Sequence, residues 1–510
     1  MTAVPATPGI NRDYRQALIL LTLYWVYFAA LCAGLLWCIW WVRTADLLPL
    51  FRWLLLLLPA GLLLHLLWTS APRRRPKPFG EVINLNDQPD LRSLIDEVAR
   101  QLQVNRPDEV RLLPDMNAYM SVRGARSTLG LGLPLLLSLP EPEVRAVVAH
   151  ELGHLGGGDS ARAWRLSGLV GGLFRTTLSL RQGNPERLVE LLPQGVSTIA
   201  VLYLLLGNLI ALPMTAIATA FLRVSARLNH AQELAADHAA QQVAGPEAAR
   251  TALQRITREA WLFDAFIQQD VLPLAAAGYR VPLADGFRIF LRGEWAERLR
   301  GWTSQRLADH EASLSHPSLR TRLGALTIPE NLVPAPDARE PRDEHPTDLL
   351  RDADALGEKV YQPRARKTLT GVTWAELNDL HWPSHWQQLA QNDDLRVALR
   401  HLNLHDLPGV CADLNAHLRA RFPQMQYEGV GGDERHALVS WLAVGVLLSA
   451  LKQGAWAAAQ PGHSWAVTRN GQTLTPLTEL WAMVTNPQAR EQWPTRLAQL
   501  GLENAPLLET

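Results

Sequence analysis

Apolar positions are segregated along this chain. Residues 17–42 carry no charge over more than the ~20 residues that a helix needs to cross a bilayer. Residues 47–68 repeat the pattern, interrupted by Arg52, His65, Pro49 and Pro59. Trp25, Trp37, Trp40, Trp41, Trp53 and Trp68 gather toward the ends of the two runs, as interfacial aromatics do. The first run is too long for a signal peptide and no small-residue cleavage site follows it. The pattern predicts a transmembrane helical hairpin within residues 1–75. Arg12 and Arg15 precede it, and Arg73, Arg74, Arg75 and Lys77 follow it. The positive-inside rule then puts both of its ends, and the chain that follows, in the cytoplasm.

From residue 79 the texture is that of a water-soluble fold. Residues 81–85 read as a short strand, and 91–102 have the i, i+3, i+4 apolar spacing of a helix. A second strand at 108–113 ends at Pro114, and a third at 117–122 is closed by a turn at Arg123 and Gly124. Residues 129–139, with Gly130, Gly132 and Pro134, lead into Pro140, Glu141, Pro142 and Glu143. Proline and glutamate in a first turn start a helix well, because proline lacks the orphaned donor and glutamate complements the dipole. Val144, Val147, Val148, Leu152 and Leu155 give that helix its buried stripe, and Gly156, Gly157 and Gly158 weaken it.

On this helix His150 and His154 lie one above the other, with Glu151 beside them. Two imidazoles at that spacing can hold one Zn²⁺, and the adjacent carboxylate can take a proton from an activated water. Residues 227–240 form an Ala-rich, helix-favouring stretch with Glu233 and Asp237 four apart. Glu233 would complete a His₂Glu set with an open position, the arrangement of a catalytic zinc. Asp237 would hydrogen-bond a ligand or a reacting group.

Between these two stretches lie more apolar residues. Residues 164–180 hold Arg165 and Arg175 and suit a surface-lying or partly embedded helix. Residues 196–222 carry no charge and are long enough to cross. Residues that share a metal must lie on one side of the membrane. Either 164–180 crosses as well, or 196–222 folds back near Gly207 and Asn208 or Pro213. Two passes or a re-entrant hairpin are preferred here to a buried soluble helix.

The order of Asn117-Ala118-Tyr119, the Gly-Leu run, the His150-Glu151-Leu152-Gly153-His154 helix, the apolar insertion and Glu233-Leu234-Ala235-Ala236-Asp237 resembles the HtpX and CAAX-prenyl-protease family of integral-membrane zinc endopeptidases. His316-Pro317-Ser318, with Arg322 downstream, matches that family's later signature. The resemblance covers residues 75–328. It implies that His150, His154 and Glu233 are ligands, that Glu151 is the base, and that Asp237 supports the ligands or donates a proton. It further implies that His316 lies near the metal and steadies an oxyanion, with Arg322 as auxiliary substrate contact. Asn117 and Ala118 would sit on an edge strand that pairs with substrate backbone. Gln232 departs from the basic residue that relatives commonly carry there.

Composition adds exclusions. The formal net charge is +0, so no global field points to nucleic acid. Cys32, Cys38 and Cys411 form neither a disulfide framework nor a Cys₄ site. Residues 331–350 are rich in proline and charge and read as a linker. Residues 351–510 read as a mainly helical accessory domain, with a β-hairpin over 467–474 centred on Asn470 and Gly471, and a buried helix over 438–451. The pairs His401/His405 and His381/His385, and the His345-Pro346 dipeptide, read as surface or packing histidines; Pro383 spoils helical stacking of the second pair.

The expected fold is an α-rich, multi-pass membrane protein. It has the hairpin of 1–75, an α+β zincin-like (gluzincin) peptidase domain over 76–330 with an apolar insertion at about 164–222, and the helical C-terminal domain. Its expected function is endopeptidase action on peptide or membrane-protein substrates at the lipid bilayer, with one catalytic Zn²⁺. The family resemblance implies a role in protein quality control. A metal-stabilised, non-catalytic scaffold is the alternative, and Glu151 argues against it because a structural zinc has no use for a base. A prenyl-peptide enzyme would need a lipid-accommodating chamber that so few spans do not build.

Overall fold

A computed structural model describes residues 8–45, 49–71, 78–156, 170–179, 197–293, 295–297, 299–301, 317–326, 348–361, 369–423, 432–461 and 464–508. The chain is mostly helical with small sheets.

The apolar runs become helices α1 (Pro8–Thr44) and α2 (Pro49–Ser70). Next comes a four-stranded sheet, built from β1 (Glu81–Ile83), β2 (Glu109–Leu113), β3 (Ala118–Arg123) and β4 (Arg126–Gly132). Helix α3 (Pro89–Leu102) connects β1 to β2. The strand order is β1-β2-β4-β3, with β2 parallel to β4 and the other pairs antiparallel. Strand β3, the stretch predicted at 117–122, is therefore one of the sheet's two edges, with β1 at the other. Strand β4 was not foreseen, and its glycines are what let it pair. Tyr119 lies across Gly130 in the β3–β4 register, and a Cβ there would fall inside the Tyr119 ring. At Gly132 a Cβ would meet the Asp115 carbonyl.

Helix α4 (Leu133–Ser138) leads into α5 (Glu141–Gly156), the predicted metal-binding helix. Val144, Val148, Ala149 and Leu152 are fully buried on it. Helix α6 (Ser197–Ala244) is a single unbroken helix of 48 residues, about 72 Å long at 1.5 Å per residue. It passes through Gly207, Asn208 and Pro213 without reversing, so the re-entrant hairpin is not formed.

The other segment of that region packs on the apolar helices. Residues 170–179 are helical and run antiparallel to the end of α2. Gly172 lies against Ser70, the Thr69 hydroxyl donates to the Thr176 hydroxyl at 3.2 Å, and His65 Nε2 is 3.1 Å from the Ser179 hydroxyl. Leu173 and Thr176 are fully buried, so the segment is part of the bundle and does not lie on a surface. Arg175 is accommodated because its guanidinium donates to the Thr69 and Ala71 carbonyls, which α2 leaves without helical partners at its end. Helix α6 runs antiparallel to α1: Tyr27 donates to the Ile210 carbonyl at 3.3 Å, and Arg227 meets Asp13 at 3.4 Å. Residues 170–179 are thus antiparallel to the end of α2, and α6 is antiparallel to α1. His154 and Glu233 return to the same end.

Tyr24, Leu62, Leu66, Leu173 and Met214 form the core of this bundle. Two stretches, Arg12–Thr44 and Leu209–Ala244, are long and apolar enough to cross a membrane. Val26, Trp37, Leu64, Trp68 and Leu212 are more than half exposed on its outside.

Helix α7 (Pro246–Phe266) follows α6 after Gly245 and packs against α5; Arg255 of α7 pairs with the buried Glu143 of α5 at 2.8 Å. The chain beyond 347 is stitched onto this unit. Asp354 Oδ1 accepts from the Ala284 and Asp285 amides and so caps α8 (Leu283–Arg292). Gln88 and Arg351 exchange two hydrogen bonds, and Trp374 packs against Gly286 and donates to the Pro282 carbonyl. Farther on, Gly432–Lys452 is the expected buried helix, and Ser464–Arg469 pairs with Gln472–Leu474 through a turn in which Asn470 and Gly471 both have positive φ. A third strand, Trp456–Gln460, completes that sheet.

Candidate metal centre

The centre forms where α5 crosses α6. The crossing is close because Gly153 faces Ala236 and Ala239: a Cβ at Gly153 would lie 3.0 Å from Ala239 Cβ and 3.3 Å from Ala236 Cα. Small residues on both helices let the backbones approach. The histidines one turn apart on α5 then meet Glu233 on α6.

One donor atom each from His150, His154 and Glu233 lies within 4.8 Å of the others. His150 Nε2 is 3.5 Å from Glu233 Oε2, and His154 Nε2 is 3.6 Å from Glu233 Oε1. Two donors on a tetrahedral zinc, each 2.0–2.1 Å from the ion, lie about 3.3 Å apart. The separations fit one small cation with little adjustment. The two imidazole planes are perpendicular, 5.0 Å between centroids, so the nitrogens converge from different directions.

Around the triad is a shell of charge. His150 Nδ1 is 3.0 Å from Asp237 Oδ1. That contact fixes the tautomer with the proton on Nδ1 and leaves Nε2 to bind metal. Asp237 is 2% exposed, and Arg322 holds its carboxylate with Nε on Oδ2 at 2.8 Å and Nη2 on Oδ1 at 2.5 Å. Arg322 Nη1 also stands 3.6 Å from Glu233 Oε2.

The arginine is delivered by α9 (Leu319–Ala325). Ser318 caps this helix, its hydroxyl accepting from the Thr321 amide at 3.2 Å, and Arg322 projects into the site one turn later. This is a physical reading of the Pro-Ser-Leu-Arg-Thr-Arg run: Pro317 and Leu319 line the cavity, Ser318 starts the helix and Arg322 reaches Asp237. His316 lies outside the described residues.

The electrostatics follow from burial. Burial opposes a charge on His150, but hydrogen bonds to Asp237 and Glu233 outweigh it and raise the pKa to about 9. Burial, and then the neighbouring charge on His150, lowers His154 to about 4. Asp237 is pushed up by burial, yet its bonds to Arg322 and His150 prevail and hold it below the usual carboxylate range. Without a metal near pH 7, the cluster therefore carries a proton on His150 and none on His154.

A cavity of about 330 Å³ opens beside the triad. His150, Glu151, Glu233 and Asp237 line it, and so do Asn117 and Ala118 at the start of the edge strand β3. Of the residues singled out in the sequence, His150, His154, Glu233, Glu151, Asp237 and Arg322 gather at the α5–α6 crossing, Asn117 and Ala118 stand at the cavity's edge, and His316 is outside the described residues. Unforeseen was the face of α7 that closes the cavity with Ala249, Ala252, Leu253 and Ile256. Its signal was available, since these positions follow helical spacing. Among the described residues, His381 and His385 belong to no such grouping. Their rings do stack, 5.3 Å apart, because Pro383 sits in the first turn of Trp382–Leu389, where proline is tolerated.

Residues 85–330 match the sequence model of peptidase family M48. Protease HtpX from Haemophilus influenzae strains PittEE and PittGG is 34% identical over 96 residues, 18% of this chain and 34% of the relative. The match thus spans about a third of the length of those relatives.

Two outcomes follow from the charge shell. Asp237→Asn removes the carboxylate that orients His150, and zinc affinity should fall about 10–100-fold in competition with a chelating dye. Unchanged affinity would show that Asp237 does not position the ligand. Because His150 carries a proton up to about pH 9, zinc uptake at pH 7 should release roughly one proton. Affinity should rise with pH until that value and then level off. Calorimetry in buffers of different ionisation enthalpy reads the release, and a heat independent of buffer would contradict it.

Proposed function

We propose, for a chain that belongs through residues 85–330 to peptidase family M48, that it is a membrane-anchored, zinc-dependent endopeptidase of the gluzincin type. The observation that carries this reading is the convergence of His150, His154 and Glu233 with Glu151 lining the same cavity. When bound, zinc supplies Lewis acidity and brings the pKa of a water from about 15.7 to about 7.

The protein's own residues do the rest. Glu151, next to His150 on α5, accepts the proton of the attacking water and delivers it to the leaving amine. The scissile C–N bond breaks, giving a carboxylate and an amine. Asp237 keeps His150 in the ligating tautomer, and Arg322 keeps Asp237 ionised and oriented. We assign Arg322 to this positioning role because its guanidinium is engaged with Asp237. His316 precedes the cavity-lining Pro317 and is assigned the auxiliary donor's role on resemblance.

Substrate enters as an extended segment. The edge strand β3 has one paired side, toward β4, among the described residues, and begins at Ala118 on the cavity rim. A peptide adding to its other side would pair through main-chain hydrogen bonds, with tolerance for sequence. Unfolded or membrane-exposed segments suit that mode, which agrees with a role in protein quality control.

The apolar exteriors of α1, α2 and α6 support a multi-pass anchor, and the basic residues at 12, 15 and 73–75 put the peptidase and C-terminal regions on the cytoplasmic side.

Glu151→Gln should retain zinc while peptide or casein cleavage falls by about 10²–10⁴-fold, the range of general base catalysis. Equal turnover by wild type and variant would sink the peptidase reading and leave the scaffold. For the anchor, cysteines introduced at Thr44 and Gln242 should react with an impermeant maleimide from opposite faces of sealed vesicles. Labelling of both from one face would refute the topology.

A further inference from the structure

The cavity exceeds what hydrolysis needs. It measures about 330 Å³, whereas a water takes about 30 Å³. Its polar side is lined by His150, Glu151, Glu233, Asp237, Arg322 and Asn117. The remainder is bounded by Val147 of α5 and by α7, where Ala249, Ala252, Leu253 and Ile256 fall on one helical face. Thr257 is the one polar residue that α7 contributes to the lining. Ala249 and Ala252 are each 3% exposed, so each presents only a methyl group where a longer side chain would reach into the space.

We propose that this face of α7 is the specificity wall of the site. It receives one large apolar side chain of leucine, methionine or phenylalanine size next to the scissile bond, and Ala249 and Ala252 set its depth. This rests on the peptidase reading and adds the substrate class to it. The α7 face carries no charge, so a charged side chain laid against it would be desolvated without compensation there. It offers a small side chain too few contacts. Discrimination in an apolar pocket amounts to roughly 10–200-fold per methylene, so a strong preference is within reach of this wall.

The test uses full-length, zinc-loaded protein in detergent and a peptide series varied at each position flanking the cleaved bond. At one of those positions, kcat/KM should favour leucine and phenylalanine over glycine and aspartate by about 10–100-fold. The same ranking should appear as fluorescence-anisotropy affinity for Glu151→Gln, a readout independent of turnover. Ala252→Phe should lower kcat/KM for leucine and phenylalanine peptides at least about 10-fold more than it does for the glycine peptide. Ala249→Leu serves as the second variant, and bound zinc reports that each has folded. Cleavage with a flat profile, or a preference untouched by both variants, would overturn the wall and leave the peptidase reading standing. A binding preference that Ala252→Phe abolishes, in a protein that cleaves nothing, would overturn the peptidase reading and leave the wall.

Discussion

Everything in this site depends on how closely α5 and α6 approach. Gly153, between the two histidines, lies over Ala236 and Ala239, and those alanines flank Asp237 on the same helix that carries Glu233. Even a Cβ at Gly153 would force its neighbours on α6 to give by a few tenths of an ångström, while the donor separations of 3.5 and 3.6 Å leave little slack for a cation. The packing of two helices and the coordination of one metal are thus a single constraint. The glycine inside the His-Glu-Leu-Gly-His run is explained by distance, not by flexibility.

That constraint extends into the apolar bundle because α6 does not break. The 48-residue helix carries Ile210 beside Tyr27 at one end and Glu233 beside the histidines near the other. An unbroken hydrogen-bonded helix transmits axial position, so the contacts of α6 with α1 help fix where Glu233 stands against α5. Helix α6 runs antiparallel to α1, and the two halves of the site meet at one end. A lone crossing between His154 and Glu233 would have made the site impossible.

The sequence was most legible where chemistry and local structure coincide. Pro140 and Glu141 mark the start of α5, spacing stacks His150 and His154, and Glu233 and Asp237 share a face of α6; all of this is local. Strand β4 was not legible, because the space that Gly130 leaves is filled by Tyr119 from a partner strand. The same-side requirement left two routes open, a crossing by 164–180 or a fold-back of 196–222 near Gly207 and Asn208 or Pro213, and the unbroken α6 removes the fold-back. Arg175 disguised residues 170–179, since nothing in a one-dimensional pattern shows that its charge is met by the carbonyls of Thr69 and Ala71. The pairing of Arg322 with Asp237 spans 85 positions and was likewise beyond periodicity.

Charge accounts for why this buried cluster calls for a divalent ion. Glu151, Glu233 and Asp237 face one cavity, and Arg322 is the one guanidinium lining it. Ionised, three carboxylates against one arginine leave two negative charges in a region largely withdrawn from water, which is costly unless compensated. A proton on His150 supplies part of that compensation, which is why its pKa rises despite burial. A divalent cation supplies all of it and releases the proton.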